Sequence, residues 1–225
     1  MSPATQLGLL WLASPALPVG SFSYSEGLEA AVEARLVADE AQAGDWLLDQ
    51  LNLCVARSEM PLVAAAHAAW RAFDLPRLRV LDDWHRTTRE SAEARQQAEQ
   101  TGRSLAAWLK NGAQREDARV AALAGLASGW PVAFALAAVL IDAEARDALH
   151  AFAFGWAENM VQAAMKSVPL GQAAAQRMLA RLAAEIPAAV ERALALPQAE
   201  WQAFAPMLAI VSAQHETQYS RLFRS

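Results

Sequence analysis

The chain has 225 residues, 55% of them apolar, with only ten glycines and ten prolines, so it can bury a core without disulfide or metal staples. Its net charge is −5 and its arginines are dispersed among acidic residues, which excludes the concentrated basic surface of a nucleic-acid-binding protein. Its single cysteine, Cys54, cannot form an internal disulfide, and this favours a reducing, cytoplasmic environment.

The N-terminal segment, residues 1–22, is apolar but has neither a positively charged region nor a small-residue cleavage site, so a secretory signal peptide is not predicted. It leads into the stretch GSFSYSEGLE, residues 20–29. Ser23 and Glu26 have the spacing of a capping box, in which the two side chains satisfy backbone N–H groups at the start of a helix. The stretch therefore predicts a turn that opens a helix.

Three residues of this stretch are not explained by a helix cap. Phe22 and Tyr24 place two aromatic rings in the turn, and these rings belong either to the core or to a surface that meets a partner. Gly27 falls in the predicted first helical turns, where glycine costs about 1 kcal/mol relative to alanine. We therefore expect another backbone to approach closely at Gly27.

Apolar residues recur with helical spacing along the body of the chain, residues 23–213, and no segment shows sustained two-residue alternation. Two apolar faces are formed by Leu47, Leu51, Cys54 and Val55, and by Leu149, Phe152, Trp156, Met160, Ala164 and Val168. Prolines are predicted to mark helix boundaries at Pro61, Pro76, Pro131, Pro169 and Pro197, and to kink or divide helices at Pro187 and Pro206. The stretch Arg77–Arg103 is the most polar and predicts one helix with a broad solvated face. The sequence thus predicts an all-α fold, a single globular domain of about ten helices over residues 1–225.

Residues 120–141 form an uncharged run that is long enough to span a bilayer. Gly129 and Pro131 interrupt it near its middle. Glycine is favoured just past the end of a helix, and proline is favoured in the first turn of the next one. We therefore predict two short buried helices that meet at Gly129, and no membrane span.

Motifs for catalysis or metal binding are absent from the sequence. It contains no G-x-x-x-x-G-K-[ST] phosphate loop and no G-x-G-x-x-G loop. The segment HETQY begins like a zincin helix at His215, but Tyr219 stands where the second histidine would be. The sequence therefore predicts no catalytic residue, no metal site and no cofactor. The alternative is a helical enzyme or ligand-binding protein whose pocket combines dispersed residues such as His67, His85 and Glu158.

A polar ridge runs along the helix that precedes Pro169. Glu158, Gln162 and Lys166 recur every four residues, opposite the apolar face of the same helix, and Pro169 and Gly171 then break the chain. A ridge of this kind is either a solvated face or a contact surface.

The C-terminal tail, residues 214–225, ends in HETQYSRLFRS and has no acidic residue after Glu216. Its apolar and cationic side chains are Tyr219, Arg221, Leu222, Phe223 and Arg224. Aromatic residues and arginine are enriched at interface hot spots, whereas a frayed end that exposes large apolar groups is a liability. We expect the tail to dock, either on the chain's own body or on a partner.

Three segments of the sequence resemble signatures of the urease accessory protein F family. They are LASPALPVGSFSYSEGLE near the N-terminus, VPLGQAAAQ in the interior and HETQYSRLFRS at the C-terminus. They occur in the family's order and spacing, and the resemblance covers essentially the whole chain, although residues 70–130 carry no matching motif. Ser21 is a departure, because many members have a second glycine at that position.

The resemblance implies an all-helical, non-catalytic assembly factor that works in the cytoplasm. Such factors bind accessory protein D (called H in some species) and the GTPase G, often as homodimers, and couple GTP hydrolysis to nickel insertion into apo-urease. By residue match, the implied partner contacts are Gly20, Phe22, Tyr24, Ser25, Glu26, Gly27 and Glu29, then Lys166, Pro169, Gly171, Gln172 and Gln176, and in the tail His215, Glu216, Tyr219, Arg221, Phe223 and Arg224. Neither a nucleic acid nor a membrane is an expected partner.

Overall fold

The computed structural model describes residues 1–126 and 129–224, which form eleven α-helices and no β-strand. The helices are α1 (Pro3–Ala13), α2 (Leu28–Glu33), α3 (Glu40–Asp49), α4 (Glu59–Ala72), α5 (Leu75–Thr87), α6 (Ala92–Asn111), α7 (Ala118–Gly125), α8 (Trp130–Leu140), α9 (Ala145–Ser167), α10 (Gln172–Ala195) and α11 (Pro206–His215). The short connecting turns are Ser21–Ser23, Val55–Arg57 and Gln198–Glu200, all 3₁₀, and the π-helical turn Gln50–Cys54. The predicted all-α fold of about ten helices is confirmed.

Helix α8 is central to the fold because it is apolar on every side. All residues from Pro131 to Val139 are buried, and α4 and α6 pack against this helix. Helix α9 lies against α1, α4 and α10, and its predicted apolar face is buried. Trp70 of α4 is fully buried, and its indole N–H donates to the backbone oxygen of Val132 at 2.9 Å. This hydrogen bond ties α4 to the first turns of α8.

The uncharged run at residues 120–141 is divided between α7 and α8, as predicted. Gly129 is the N-cap of α8 and Pro131 lies in its first turn. Helix α7 differs from the expectation of a buried helix, because only Val120 and Leu123 are buried. Residues 127 and 128 lie outside the described residues. Across the described ranges, none of the helices combines the length and the apolar composition needed to cross a membrane.

The polar stretch Arg77–Arg103 forms two helices, so the prediction of a single helix is wrong. Helix α5 ends at Thr87 and α6 begins at Ala92. The Ser91 hydroxyl accepts the backbone N–H of Ala94 at 3.0 Å and caps α6. Serine is a preferred N-cap residue, but in the sequence it stands among other polar residues and is not distinctive. The break matters for function because α6 supplies side chains to the candidate site.

The prolines named above fall at helix boundaries, with one exception. Pro76, Pro131 and Pro206 lie in the first turns of α5, α8 and α11, where the missing N–H has no intrahelical partner to lose. Pro187 lies inside α10, which runs without a break from Gln172 to Ala195. Pro187 therefore does not divide a helix, and Pro206 begins one.

Asp82 on α5 holds the N-terminal end of α8. Its carboxylate accepts the backbone N–H of Gly129 at 2.7 Å. A Cβ atom at Gly129 would come within 2.8 Å of His85 Nδ1, so the close approach of α5 requires glycine there. Burial raises the pKa of Asp82 from 3.8 to about 6, although the Gly129 hydrogen bond opposes the shift. The stability of the fold therefore depends on the protonation of this carboxyl group.

We expect Asp82→Asn to stabilise the protein, relative to the wild type, more at pH 8 than at pH 4.5. The pKa of Asp82 is higher in the folded state than in the unfolded state. The protonated carboxyl group therefore contributes its full share to the free energy of unfolding below pH 3.8, and this contribution is lost as the pH rises through about 6. The difference between these pKa values corresponds to about 1–3 kcal/mol. Asparagine stays neutral and keeps an oxygen for the Gly129 N–H. Urea unfolding at both pH values measures the effect, with Asp83→Asn on the exposed side of α5 as the control. Parallel pH profiles for the two variants would contradict the prediction.

Candidate functional site

The turn at residues 20–29 differs from the predicted capping box. Helix α2 begins at Leu28, and Gly27 is its N-cap with φ +81°. The Glu26 side chain turns inward, where it accepts the Gln97 amide at 2.8 Å and the Trp156 indole N–H at 2.9 Å. The Ser23 N–H donates instead to Gly20 O, closing a 3₁₀ turn. The capping-box interpretation is therefore wrong, because the Glu26 carboxylate accepts hydrogen bonds from side chains on α6 and α9 and not from the start of its own helix.

Gly27 is required by both its conformation and its neighbours. Its positive φ favours glycine, and a Cβ atom there would lie 3.1 Å from Val211 Cγ2 and 3.2 Å from Leu208 Cδ1 on α11. The close approach is thus made by two side chains and not, as expected, by a backbone, since the nearest backbone atom, Ser212 N, is at an ordinary contact distance of 3.6 Å. Gly27 also precedes the helix rather than lying within it.

The two aromatic residues of the turn have opposite environments. Tyr24 is only 3% exposed, and its hydroxyl donates to Gln100 Oε1 at 2.8 Å. Phe22 is 61% exposed. The question left open by the sequence thus has two answers, since Tyr24 belongs to the buried body and Phe22 lies on the surface.

The C-terminal tail docks on the chain's own body through a cluster of charged groups. His215 is completely buried, with Nδ1 2.7 Å from Glu93 Oε2 and Nε2 3.1 Å from Glu29 Oε2. Arg221 donates to the other oxygen of Glu93 at 2.7 Å. The Glu29 carboxylate also accepts the backbone N–H groups of Leu222 and Phe223. We call Glu29, Glu93, His215 and Arg221 the tail clasp.

The end of the tail reaches both other predicted segments. Phe223 is buried, and the Lys166 ammonium group on α9 lies 5.6 Å from the centre of its ring. The backbone N–H of Arg224 donates to Ser23 O at 2.8 Å in the N-terminal turn. The N-terminal signature, the end of α9 and the tail therefore meet at one place, although they are far apart in sequence.

The exposed surface at this place is apolar and cationic. We call it the tail face and define it by Phe22, Lys166, Tyr219, Leu222 and Arg224, all exposed. Tyr219 has its full side chain in solvent, and Leu222 is 71% exposed. Large exposed apolar groups beside arginine are the composition of protein-binding surfaces.

Several residues predicted to touch a partner are buried in the protein's own body. They are Tyr24, Ser25, Gly27, Glu29, His215 and Phe223. These residues lie beneath the tail face and support it, and they do not form its outer surface. Glu216 is exposed, but its carboxylate accepts the backbone N–H of Ala92 at the start of α6.

The predicted residues after α9 lie just beyond Lys166. Gly171 is the N-cap of α10, and Pro169, Gly171, Gln172 and Gln176 are all exposed. A Cβ atom at Gly171 would meet no atom within 4 Å. These four residues therefore remain candidates for direct contact with a partner.

Two members of the site were not predicted from the sequence. Glu93 and Gln100 both lie on α6, within the part of the chain that carries no recognisable motif. Glu93 follows the Ser91 N-cap, and acidic residues are common in the first turn of any helix. The sequence around Glu93 does not show whether the residue only favours the start of the helix or also binds Arg221, which is 128 residues further along the chain.

A cavity of about 150 Å³ lies beneath the N-terminal turn. Its polar lining includes Glu26, Gln50, Glu59, His85 and Arg89. Arg89 donates to Glu59 Oε1 at 2.8 Å, whereas His85 Nε2 is 3.6 Å from the same oxygen, beyond hydrogen-bond distance. Buried atoms of three of these side chains, Gln50 Oε1, both His85 ring nitrogens and Arg89 Nε, have no hydrogen-bond partner among the described residues.

The pKa values of three side chains that line the cavity are shifted by burial and by their charged neighbours. Burial and the charge of Glu59 raise the pKa of Glu26, against the hydrogen bonds from Trp156 and Gln97. Burial also acts to raise the pKa of Glu59, but His85 and Arg89 outweigh it and the net shift is downward. Burial and then Arg89 lower the pKa of His85.

Of the dispersed residues named for an alternative pocket, only His85 lines this cavity. His67 lies outside the cavity, where its Nε2 is within hydrogen-bond distance, 2.9 Å, of the Ala143 backbone oxygen. Glu158 does not line the cavity either. Cys54 lines the cavity as a thiol, since burial raises its pKa to about 12. In the part of the chain that the structure describes, no three His, Cys, Asp or Glu side chains are grouped so as to hold a metal ion.

Known proteins resemble this chain over its whole length. A family model described as UreF matches residues 37–183. The chain is 60% identical to the urease accessory protein UreF of Polaromonas sp. (strain JS666), covering 100% of this chain and 99% of that protein. It is 62% identical to the urease accessory protein UreF of Methylibium petroleiphilum, covering 99% and 94%. It is 61% identical to that of Paracidovorax citrulli, covering 99% and 90%. These alignments include the N-terminal turn and the tail, which lie outside the family model.

Proposed function

Because the chain belongs to the UreF family of urease accessory proteins, we propose that it is a non-catalytic adaptor for assembly of the urease nickel centre in the cytoplasm. In this role it binds accessory protein D (H), recruits the GTPase G and couples GTP hydrolysis to nickel insertion into apo-urease. The observation that carries the proposal is the tail face, an apolar and cationic surface on a chain of net charge −5.

The chemistry of the tail face suits a partner with an acidic, apolar-lined groove. Phe22, Tyr219 and Leu222 offer apolar side chains to such a groove. Among the described residues, the exposed guanidinium group of Arg224 makes one long contact, to Gln100 at 3.3 Å. A guanidinium group can make paired hydrogen bonds to a carboxylate of such a groove. We propose that accessory protein D binds these tail residues, and that Lys166 and the start of α10 are left for the GTPase G or apo-urease.

Self-association is proposed for a different surface, the outer side of α1. Leu7, Leu10 and Trp11 are all more than half exposed there, and no charged side chain precedes Glu26 in the chain. A symmetric dimer contact places a patch opposite its own copy, so an uncharged patch avoids like-charge repulsion. We propose that two copies pair through α1 within the complex.

Co-expression with accessory protein D and the GTPase G tests the adaptor role. We expect all three chains to co-purify, with a mass by light scattering that corresponds to two copies of this chain, and urease activation in cells that lack their own copy. A chain that captures neither partner and supports no activation would overturn the proposal.

The polar cavity favours a second candidate, a helical ligand-binding protein. The observation that supports it is that four buried polar atoms of Gln50, His85 and Arg89 have no hydrogen-bond partner among the described residues. A thermal-shift screen of the free chain with small metabolites, nickel and GTP separates the two functions. The adaptor role predicts no large stabilisation and no GTP turnover by this chain, whereas a strongly stabilising metabolite would favour the second candidate.

We expect Lys166→Ala to weaken urease activation while leaving the fold intact. Lys166 is exposed, and its contact with the Phe223 ring corresponds to about 0.5–1 kcal/mol for an exposed cation–π pair. Thermal melting and activation assays measure the two effects. The only other lysine, Lys110, is exposed in the last turn of α6, and Lys110→Ala is the matched control. Equal activation by both variants would remove Lys166 from the proposed contact surface.

A further inference from the structure

Glu29 lies beneath the tail and accepts two backbone hydrogen bonds from it. Its Oε1 accepts the backbone N–H of Leu222 at 2.7 Å, and its Oε2 accepts that of Phe223 at 3.0 Å. His215 Nε2 lies 3.1 Å from the same Oε2. Glu29 is only 7% exposed, so a partner that approaches the docked tail meets the tail before this carboxylate.

We propose that Glu29 is a positioning residue that sets the register of the docked tail and thereby decides which tail side chains face a partner. The inference rests on the proposed function in one respect, the use of the tail face for binding. It differs from the contact role that family resemblance implies for Glu29, because Glu29 acts through the tail backbone.

The register follows from the two consecutive amides. The backbone bends at Leu222 and Phe223, and this bend brings two consecutive N–H groups to one carboxylate. With both amides on one carboxylate, Phe223 is 6% exposed and Leu222 is 71% exposed. A shift by one residue would bring a different pair of amides to Glu29 and would take Phe223 out of its buried position. The carboxylate therefore selects the side chains that the tail face offers.

The other clasp residues fix the position of Glu29 itself. His215 stands between Glu29 and Glu93, and both of its ring nitrogens face carboxylate oxygens. The imidazole ring therefore bridges the two carboxylates. Arg221 also pairs with Glu93, at 2.7 Å. The clasp thus holds Glu29 through contacts that include the tail.

Glu29→Gln tests this role with little change in side-chain volume. Glutamine has one acceptor oxygen, and its NH₂ group would face an N–H donor of the tail or of His215. We expect hydrogen exchange of the Leu222 and Phe223 amides in the free chain to quicken by about tenfold or more, and trypsin to cleave faster after Arg221. Glu33→Gln, one turn further along α2 and exposed, is the matched control and should change neither rate.

A second pair of variants leaves α2 untouched. Leu222→Pro removes one of the two N–H donors, and we expect faster exchange at Phe223. Leu222→Ala keeps the N–H and should keep the tail docked. Unchanged exchange in both Glu29→Gln and Leu222→Pro would overturn the inference.

Capture of accessory protein D by the same variants separates this inference from the proposed function. If the released tail also lowers capture, the register is set for partner binding as proposed. If the wild-type chain captures no partner, the adaptor role fails, while the exchange data on the free chain still decide the role of Glu29.

Discussion

A chain that ends at Gln218 is expected to remain folded and to lose its stable complex with accessory protein D. In the described part of the chain, residues 219–224 contact the body through the clasp, one buried ring, and the backbone amide and side chain of Arg224, and none of them belongs to α4, α8 or α9. Removing residues 219–225 takes away the apolar and cationic groups of the tail. Complex formation should therefore fall below detection in co-purification, and urease activation with it.

The structure also predicts a measurable cost in stability for this truncation. Phe223 is 6% exposed, and burial of a phenylalanine side chain contributes about 1.5–3 kcal/mol. For a protein of this length we expect the melting temperature to fall by several degrees, with helical content kept. Circular dichroism and thermal melting measure both quantities.

A double substitution separates binding from docking. Tyr219→Ser with Leu222→Ser removes only exposed side chains and keeps every backbone contact of the tail. This variant should melt like the wild type and still lose accessory protein D. Full capture by the truncated chain would end the tail hypothesis, and failure of that chain to fold would place the tail in the core.

Tyr24→Ala is expected to destabilise the protein by about 3–5 kcal/mol, the range for truncation of a fully buried large aromatic residue. Sequence alone also allowed a partly packed ring, for which we would expect only about 1–2 kcal/mol. The structure selects the larger effect, because Tyr24 is 3% exposed and its hydroxyl is bonded to Gln100. Urea unfolding measures the difference.

Two variants serve as controls for Tyr24→Ala. Tyr24→Phe loses only the hydrogen bond and should cost about 1 kcal/mol. Phe22→Ala removes the neighbouring ring, which is 61% exposed, and should change stability little while weakening partner capture. A loss below 1 kcal/mol for Tyr24→Ala, or equal losses for Tyr24→Ala and Phe22→Ala, would contradict the buried position.

The regular helices could be predicted from the sequence because their causes are local. The apolar spacing from Leu149 to Val168 becomes the buried face of α9, and Gly129 with Pro131 marks the start of α8. The structure brings the three signature segments together, since the N-terminal turn, the end of α9 and the tail are in contact, but that they form a binding site stays a prediction.

The errors arose where distant partners override local preference. Glu26 has the spacing of a capping residue, but its carboxylate binds Trp156, 130 residues away. Its backbone has φ +50°, a conformation that no sequence pattern requires of a glutamate. Glu93 and Gln100 were missed for a related reason, because only the folded chain shows what lies opposite them.

The contact between Glu29 and the tail has a consequence for biosynthesis. Glu29 precedes its partners Leu222 and Phe223 by 193 and 194 positions, so it leaves the ribosome long before they do. Contacts at such separation close only after the intervening chain is available. A nascent chain that has not yet reached Phe223 cannot assemble the tail face. Synthesis through the tail is therefore a precondition for the surface that we propose binds a partner.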